Sequence, residues 1–475
     1  MTFLLLLACV VVGATGGYVL ATRGSQPTDL SKLPDPPGFY DATSLAVGSD
    51  SACAIVAGGR VECWGADSGG LLGTGGSSAA GCDGGCTSAA QAVASVTGAV
   101  SVAVGDEFAC VLLRTGRVDC WGANNYGQLG LDELRGPQTC LGGGGSVACS
   151  HKPMPVPGLR DVVSLAAGPV DACAVTKSGA VYCWGVATDG ALGDSSASGS
   201  STSCSAASGP AACSDVPVAV FGVGDATSVA VGSLSACALV KGGRVVCWGN
   251  DASAQLGDGT SSGPQICDDE GASDPCSLVP VLVHGLTGAV GVTVGTVDAC
   301  ALRRRGVVDC WGGNAAGALG DGSMHAAAGC GLQATACADT PVRVALHARA
   351  LEVSAGDGNA CAILVGRVVD CWGDDATGQL GATDLGSLRT CVGSGQSGDQ
   401  PCAVTPVPVY KLANVNALAV GPGTTCALTA GGGSCWGMNT TGQLGNGGNI
   451  GPQQCTPAPN AGPCSERPVA VNGLT

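Results

Sequence analysis

Short apolar runs separated by glycine recur along the chain from about residue 40 to its last residues. Each unit opens with a four-residue run that ends in glycine, such as VAVG at 102–105. In the first unit a second apolar run (52–55) carries a cysteine, a glycine-rich turn follows (57–59), and a third run (60–65) ends in Cys-Trp-Gly. Two short runs around a glycine turn are typical of a β-hairpin. The pattern therefore predicts three consecutive strands.

Each unit continues through a Gly-x-Leu-Gly tag such as GQLG at 127–130, a variable segment, and a proline-containing apolar run such as VPVLV at 279–283. This last run predicts a fourth strand, and we find almost no helix-length amphipathic pattern along the chain. The Cys-Trp-Gly triplets begin at Cys63, Cys120, Cys183, Cys247, Cys310, Cys371 and Cys435. The chain therefore has seven repeats, which outweighs any domain count based on length.

Seven repeats of four antiparallel strands predict an all-β fold, a seven-bladed β-propeller, because radial repetition leaves only short sheet edges exposed. The first repeat lacks the proline-valine strand, whereas the chain ends on one at 467–474. We therefore expect the C-terminal strand to complete the first blade and close the ring. An open solenoid of the same repeats is the alternative architecture.

The seven tryptophans are one per repeat, all in the triplets. Symmetric burial of a large side chain explains such a pattern better than a ligand-stacking site, which would need tryptophan in only a few blades. We expect all seven in the core.

The 29 cysteines include 28 that form seven sets of four. Two cysteines of each set flank the hairpin turn, where facing residues on neighbouring strands lie roughly 4.5 to 5.5 Å apart and a disulfide can join them. The expected hairpin disulfides are Cys53–Cys63, Cys110–Cys120, Cys173–Cys183, Cys237–Cys247, Cys300–Cys310, Cys361–Cys371 and Cys426–Cys435. The expected loop disulfides are Cys82–Cys86, Cys140–Cys149, Cys204–Cys213, Cys267–Cys276, Cys330–Cys337, Cys391–Cys402 and Cys455–Cys464. So many disulfides predict an oxidising compartment.

Zinc is the competing interpretation of these thiols. No repeat has a Cys-x-x-Cys pair, and the four histidines fall at unrelated positions: His151, His284, His325 and His347. We therefore expect no metal and no cofactor.

The N-terminal residues predict export. Residues 1–23 form a signal peptide, lipoprotein signal or membrane anchor, 24–38 a Pro/Ser-rich tether, and 39–475 a single propeller domain. Three interpretations of the first segment stay open. Cys9, which follows Leu-Leu-Ala, is lipidated; or a signal ending at 19–21 is cleaved; or the segment remains as an anchor. We expect the protein to reside in the cell envelope or outside the cell, and to associate with a membrane through its N-terminus only.

The residues of the second repeat resemble a known family. They are VAVG at 102–105, Ala109-Cys110, Gly116-Arg117-Val118, Cys120-Trp121-Gly122, Asn124 and GQLG at 127–130. They resemble the regulator-of-chromosome-condensation repeat, in its cysteine-bearing bacterial form. The resemblance extends over nearly all of the chain from about residue 40 to 475.

That resemblance implies a seven-bladed propeller that acts mainly as a binding surface. The family's eukaryotic founder promotes nucleotide exchange on a small GTPase and binds chromatin, and a secreted bacterial member inhibits β-lactamases. A histidine frequent in the family after the strand glycine is replaced here by Ser51, Phe108, Asp171, Ser235, Asp298, Asn359 and Thr424. No role tied to that histidine is therefore implied, and a shared fold alone transfers neither activity.

The charge of the chain excludes nucleic acid as an expected partner. The formal net charge is −16, which repels phosphate backbones, and the sequence indicates no basic face. The one cationic run, Arg303-Arg304-Arg305, falls at the hairpin turn of the fifth repeat. We expect it to be solvated there.

The variable segments are where a partner is expected, because their cysteine pairs would hold them in shape and lower the entropy cost of binding. The fourth is the most distinctive, with Asp268, Asp269, Glu270 and Asp274 between its cysteines. Calcium is an alternative ligand, although the spacing lacks the alternating ligands of a calcium loop. We expect these acids to favour a basic patch on a protein partner.

The expected function is therefore that of an exported, disulfide-stabilised propeller that acts as a protein–protein interaction module in the cell envelope or outside the cell. We expect a monomer with no catalytic residues. The chain has no Gly-x-Ser-x-Gly, no His-Glu-x-x-His and no phosphate loop. An architectural surface protein without a specific ligand is the alternative. A carbohydrate-binding or enzymatic propeller ranks third.

Overall fold

A computed structural model describes residues 44–76, 85–132, 136–142, 145–196, 202–206, 209–269, 272–324, 336–382, 388–392, 399–449, 451–455 and 462–474. The expected signal or anchor segment with Cys9, and the tether at 24–38, lie outside these residues. So do Glu270, Cys82, Cys330 and His325. None of the helices in the described ranges is long and apolar enough to cross a membrane.

The described residues form 33 strands in seven antiparallel sheets, each built from consecutive strands. Each sheet is one blade, numbered 1 to 7 in chain order. Blades 1 and 2 comprise β1 (Ser44–Val47), β2 (Ser51–Val56), β3 (Arg60–Ala66) and β4 (Cys86–Ala92), then β5 (Ala99–Val104), β6 (Phe108–Leu113), β7 (Val118–Ala123), β8 (Gln138–Gly142) and β9 (Gly145–Pro155). Blades 3 and 4 comprise β10 (Val162–Ala167), β11 (Asp171–Thr176), β12 (Val181–Val186), β13 (Thr202–Ala206) and β14 (Gly209–Ala219), then β15 (Ala226–Val231), β16 (Ser235–Val240), β17 (Arg244–Asn250), β18 (Gln265–Asp269) and β19 (Ala272–Leu282).

The remaining blades follow the same plan. Blade 5 comprises β20 (Ala289–Val294), β21 (Asp298–Arg303), β22 (Val307–Gly313) and β23 (Cys337–Arg343). Blades 6 and 7 comprise β24 (Ala350–Ala355), β25 (Asn359–Leu364), β26 (Val369–Asp374), β27 (Arg389–Val392) and β28 (Asp399–Pro408), then β29 (Val415–Val420), β30 (Thr424–Thr429), β31 (Gly432–Met438), β32 (Gln453–Cys455) and β33 (Gly462–Ala470). Short 3₁₀ turns occupy Ala57–Gly59, Ser68–Gly70 and Thr188–Gly190.

The variable segments are more ordered than the sequence suggests. Where four strands per repeat were predicted, the described parts of blades 2, 3, 4, 6 and 7 contain five, and the extra strand forms a hairpin with the outer strand, as in the order β5-β6-β7-β9-β8. Glycine- and serine-rich segments have low strand propensity, so their pattern did not indicate a strand. The loop disulfide joins the two strands of each of these outer hairpins.

The hairpin disulfides join residues directly opposite in register, such as Cys53 and Cys63. Their Cα atoms lie 4.0 to 4.1 Å apart, closer than the expected range. The described loop disulfides are diagonal instead: Cys149 lies opposite Gln138, two residues from Cys140. Their Cα atoms lie 5.7 to 6.0 Å apart. Cys86 and Cys337 are also disulfide-bonded, and their expected partners lie outside the described residues.

The ring does not close in the predicted way. The C-terminal strand β33 pairs with β31 of its own blade, with Cys435 opposite Val469. Blade 1 is completed by its own β4, with Cys63 opposite Gln91. The prediction that the C-terminal strand completes blade 1 is therefore wrong. Strand pairing uses main-chain groups, so β4 occupies the outer position without the proline-valine motif on which the prediction relied.

Glycines at the ends of the first strands form a closed ring around the axis. A β-carbon at Gly48 would lie 2.3 Å from the carbonyl oxygen of Gly105, and one at Gly421 would lie 2.9 Å from that of Gly48. The described members of this ring are Gly48, Gly105, Gly168, Gly232, Gly295, Gly356 and Gly421. None has a positive φ, so close approach between blades, and not backbone conformation, requires glycine here.

The tryptophans hold neighbouring blades together, and their predicted burial is confirmed, because all seven are 0% exposed. Each indole N–H donates to a main-chain carbonyl in the tag of the preceding blade. Trp64 closes the ring by donating to Gln443 of blade 7 at 3.0 Å. The other pairs are Trp121–Leu71, Trp184–Gln128, Trp248–Ala191, Trp311–Gln255, Trp372–Ala318 and Trp436–Gln379.

Candidate functional site

Antiparallel strands place the connections of each blade on two opposite sides of the propeller. One side carries the hairpin turns between second and third strands, and the connections from outer strands to the next blade. These contact each other: the Arg114 amide donates to the Gly98 carbonyl at 2.8 Å, and the Val365 amide to the Arg349 carbonyl at 2.9 Å. We call this side, with its flanking strand ends, the turn face.

The opposite side carries the links between first and second strands, and the start of the segments with the Gly-x-Leu-Gly tags. The last glycine of a tag reaches the connection to the next blade, as where the Phe221 amide donates to the Gly193 carbonyl at 2.8 Å. The end of the third strand bonds to the link in each blade, as where the Ala66 amide donates to the Asp50 carbonyl and the Ala123 amide to the Glu107 carbonyl, both at 2.9 Å. We call this side, with its flanking strand ends, the tag face.

In six of the seven blades the tag segment is held by an Asn or Asp side chain that caps the loop, whereas blade 3 has Ala187 at this position. The Asn124 side-chain oxygen accepts from the Leu129 amide at 3.0 Å, and Asp251 makes the same bond to Leu256. The last glycine of the tag packs against the next tryptophan: a β-carbon at Gly257 would lie 2.6 Å from Cδ1 of Trp311. The tag motif therefore shapes both the tag face and the contact between blades.

Acidic residues collect on the tag face. In the described links and tag segments there is no lysine or arginine. The acidic residues of the links and of the segments as far as the last tag glycine are Asp50, Asp67, Asp106, Glu107, Asp189, Asp251, Asp357 and Asp375, and Asp374 ends the adjoining strand β26. This side of the propeller therefore carries an excess of acidic groups.

Basic residues collect on the turn face, so the expectation of no basic face is wrong. Fourteen of the chain's 20 lysines and arginines lie there: Arg60, Arg114, Arg117, Arg160, Lys177, Lys241, Arg244, Arg303, Arg304, Arg305, Arg343, Arg349, Arg367 and Lys411. The acids of the same turns and connections are Asp161 and Asp225, and the flanking strand ends add Glu62, Asp119, Asp309 and Asp370. The predicted position of the arginine run at a hairpin turn is confirmed, because β21 ends at Arg303 and β22 begins at Val307. Net charge sums over both faces, which is why it concealed the separation.

An open cleft of about 280 Å³ lies on the tag face between blades 1, 2 and 3. Asp50, Asp106, Glu107, Tyr126 and other residues line it. Burial raises the pKa of Asp50 and of Asp106 above the usual value, and the charge of Glu107 adds to both shifts. Hydrogen bonds from neighbouring hydroxyl groups oppose those shifts. A cationic group entering the cleft would relieve this repulsion.

The residues that replace the family's histidine begin the second strands and are buried near the glycine ring. A β-carbon at Gly295 would lie 2.5 Å from Oδ1 of Asp298. Burial raises the pKa of Asp298 well above its usual value, and repulsion by Asp357 adds to the shift. Burial likewise raises the pKa of Asp171 well above its usual value. Burial therefore favours the uncharged form of both carboxyl groups.

The acidic residues predicted from the fourth variable segment lie on the outer hairpin of blade 4. Asp268 and Asp269 end β18, and Asp274 lies opposite Cys267. Strand β19 packs on the tag of blade 3, where the Ser195 amide donates to the Leu278 carbonyl at 3.0 Å. This hairpin therefore stands at the rim of the tag face, next to acids that the sequence analysis did not group with it.

One cluster combines types of side chain that bind metals. The sulfur atoms of Cys140 and Cys149 and a ring nitrogen of His151 lie within 4.8 Å of one another. Both sulfurs belong to one disulfide, so neither is available as a thiolate ligand. The spacing of the histidines along the sequence gives no indication that His151 lies next to this disulfide.

Two family models match the chain. The Regulator of chromosome condensation (RCC1) repeat is matched at residues 99–128 and 226–255 by one model and at 115–170 by another. The first two ranges run from the first strand to the tag in blades 2 and 4. The third runs from the hairpin turn of blade 2 to the first link of blade 3.

Curated relatives and solved structures agree with this match. The chain is 30% identical over 220 residues to the mitochondrial RCC1 domain-containing protein RUG3 of Arabidopsis thaliana, covering 45% of this chain and 43% of that protein. It is 26% identical over 262 residues to protein pim1 of Schizosaccharomyces pombe, covering 54% and 46%. The matched regions thus span less than half the length of these relatives.

Among solved structures, yeast RCC1 (Prp20), solved with Kap60 bound, superposes with a TM-score of 0.64 at 19% identity, covering 94% of this chain and 86% of that one. This likeness shows a shared fold. The repeat motifs, the two family models and the RCC1 domain-containing relative support the assignment of the chain to the regulator of chromosome condensation (RCC1) repeat family.

Proposed function

We propose that this protein is an exported, disulfide-stabilised interaction module that binds a basic protein through its tag face. The observation that carries the proposal is the separation of charge between the two faces. The described links and tag segments hold acidic residues and no lysine or arginine. Complementary charge favours a basic partner by steering encounter and disfavouring acidic competitors.

The shape of the tag face supports the same proposal. The acidic cleft between blades 1, 2 and 3 gives a concave surface, and the outer hairpins form the rim of the tag face in this proposal. Disulfides in the described outer hairpins keep this rim ordered before binding, which lowers the entropy cost of association. The acids of the fourth variable segment, Asp268, Asp269, Glu270 and Asp274, are proposed to extend this negative surface.

Export is proposed from the disulfides, because bonded cysteines persist in oxidising compartments and are rare in reducing ones. Residues 1–23 supply the signal or anchor in this proposal, through Cys9 or through the apolar segment, and 24–38 supply the tether. A bacterial cell envelope or the space outside the cell is the proposed location. A comparison of relatives gives the precedent for protein binding: the structure of yeast RCC1 was solved with Kap60 bound.

The test is an affinity pull-down from the organism's envelope and secreted fractions, followed by binding isotherms with the partner retained. One variant carries Asp50→Asn and Asp106→Asn, and a second neutralises Asp268, Asp269, Glu270 and Asp274. The control carries Asp161→Asn and Asp225→Asn, which remove the same charge from the turn face as the first variant removes from the tag face.

We expect one saturable protein partner whose affinity falls about tenfold, equivalent to ~1.4 kcal/mol, in the tag-face variant and is unchanged in the control. Loss of affinity in the second variant would place the blade 4 hairpin in the interface. Unchanged affinity there would remove the hairpin from the site. A partner that binds the tag-face variant as tightly as the wild type would contradict the proposal, and retention of no partner would favour an architectural role.

A further inference from the structure

The turn face combines positive charge with exposed apolar side chains. Five of the large apolar side chains exposed in the described residues lie there: Phe221 (60% exposed), Leu282 (50%), Leu351 (49%), Val365 (47%) and Val368 (37%). Phe221 lies in the connection between blades 3 and 4, and Leu282 ends β19. The other three surround the hairpin turn of blade 6. The apolar residues thus form two groups, one at blades 3 and 4 and one at blade 6, and do not form one continuous patch.

The basic residues are distributed more widely, over the turns and connections of successive blades. Most are exposed, including Arg304 and Arg305 in blade 5 and Arg349 before blade 6. Three are paired with carboxylates just inside the turns: Arg117 with Asp119 and Arg303 with Asp309, both at 2.8 Å, and Arg343 with Asp309 at 3.8 Å. The fourteen cations nevertheless outnumber Asp161, Asp225 and the acids just inside the turns, so the face as a whole stays positive.

The local geometry of blade 6 brings the two kinds of side chain together. The Val365 amide donates to the Arg349 carbonyl at 2.9 Å, and Leu351 lies two residues after Arg349 in the chain. A guanidinium of Arg367 in the same turn donates to the Asn416 side chain at 2.8 Å. Cations and exposed aliphatic groups therefore alternate on one outward surface.

We propose that the turn face docks on an anionic phospholipid bilayer. Lysine and arginine near such a surface are attracted by its negative potential, and exposed apolar side chains insert at the boundary between headgroups and acyl chains. A nucleic acid would use the cations but would leave the aliphatic side chains without a role. A bilayer can also contact the cations and the apolar side chains of several blades at once. Docking in this orientation turns the tag face away from the membrane. The proposal does not depend on the proposed function of the tag face.

The test is co-sedimentation of the oxidised full chain with vesicles of phosphatidylcholine, with and without phosphatidylglycerol. The charge variant carries Arg304→Gln, Arg305→Gln and Arg349→Gln. Its matched control carries Lys152→Gln, Arg389→Gln and Arg467→Gln, which remove the same charge from the outer hairpins. The apolar variant carries Leu351→Ser and Val365→Ser, and its control carries Leu141→Ser and Ile266→Ser, two side chains exposed by 76% and 56% on outer hairpins.

We expect binding to vesicles that contain phosphatidylglycerol, weakening with salt because the attraction is screened. The charge variant should bind at least about tenfold more weakly and the apolar variant several-fold more weakly, while both controls bind like the wild type. Equal binding to both kinds of vesicle would overturn the proposal, because residues 1–23 alone account for it. Unchanged binding of the charge variant would also overturn it, as would binding of duplex DNA through the same arginines without binding to vesicles.

Discussion

At the scale of single residues, buried carboxyl groups make the fold sensitive to pH. Burial raises the pKa of Glu352 to about 8, those of Asp251 and Asp375 to about 7, and that of Asp374 to about 6. These values lie above those of an unfolded chain, so the folded state binds more protons than the unfolded state through this range. The contribution is fully present below about pH 4 and is lost as pH rises through the folded values. The free energy of unfolding therefore falls between about pH 5 and pH 8.

Asp251 allows this to be tested at one position. Its side chain caps the tag of blade 4, and Asn124, Asn314 and Asn439 make the same bond in blades 2, 5 and 7. Asp251→Asn keeps that bond and removes the ionisation. We expect it to raise the free energy of unfolding by roughly 2 kcal/mol at pH 8 and by little at pH 5.

Thermal unfolding at both pH values measures this effect of Asp251→Asn. The control is Asp161→Asn, an exposed position on the turn face, which should shift the two midpoints alike. Equal stabilisation by Asp251→Asn at both pH values would show that ionisation of Asp251 does not destabilise the fold.

At the scale of elements, the tag joins each blade to the next. Its first part is held by the Asn or Asp cap, its middle carbonyl accepts from a tryptophan, and its last glycine lies against the same indole ring. Leu256, between these points, is 0% exposed. A short sequence motif thus encodes a contact between two blades, although nothing in the motif states which tryptophan it meets.

Gly257→Ala tests the contact between tag and tryptophan. Gly257 has a φ of 64°, and its added β-carbon would lie 2.6 Å from Cδ1 of Trp311. Both the backbone strain and the overlap oppose folding, so we expect a loss of about 2 to 3 kcal/mol. The readout is the midpoint of urea unfolding of the oxidised protein. The control is Gly224→Ala, where a β-carbon has nothing within 4 Å. Equal midpoints for the two variants would contradict the prediction.

At the scale of the whole molecule, the propeller closes by packing, without a strand shared between the first and last blades. Trp64 donates to Gln443, and the Ala90 amide donates to the Asn472 carbonyl at 3.2 Å. The axial glycines complete the ring where Gly421 meets Gly48. Other junctions between blades are also joined by continuous chain, whereas this one is held by noncovalent contacts alone among the described residues.

Gly421→Ala should therefore open the junction between blades 7 and 1. Its β-carbon would lie 2.9 Å from both the Gly48 carbonyl oxygen and Cγ1 of Val47, and such overlap costs about 1 to 3 kcal/mol. We expect faster hydrogen exchange in β1 and β29, measured by mass spectrometry. Gly232→Ala is the matched control, because its β-carbon would lie 2.3 Å from the Gly295 carbonyl oxygen at a junction that the chain spans. It should accelerate exchange in blades 4 and 5 only. We expect the larger increase in exchange rate at the closing junction. Equal increases at the two junctions would show that the closing junction is no weaker than the others.

The separation of charge belongs to this largest scale as well. Arg60, Arg117 and Arg244 lie in different repeats, far apart in sequence, yet the same hairpin turn of each repeat faces one side. The net charge of the chain sums the charges of both faces and therefore does not reveal this arrangement. Repeat-by-repeat alignment of charge with strand polarity would have found it, because the direction of each strand fixes the side on which its turn lies.

The sequence by itself determined the features that recur with local spacing: seven repeats, three inner strands per blade, cysteine pairs across the hairpin turns, and buried tryptophans. Such features depend on residues within one hairpin, whose alternation and turn chemistry are readable in order. Only the tertiary structure decided which strand completes blade 1, that the outer hairpins stand at the rim, and that acids and cations lie on opposite faces. These depend on contacts between residues a whole repeat apart, or between the two ends of the chain. Asp50 and Asp106, for example, come together only because radial stacking places equivalent positions of neighbouring blades side by side.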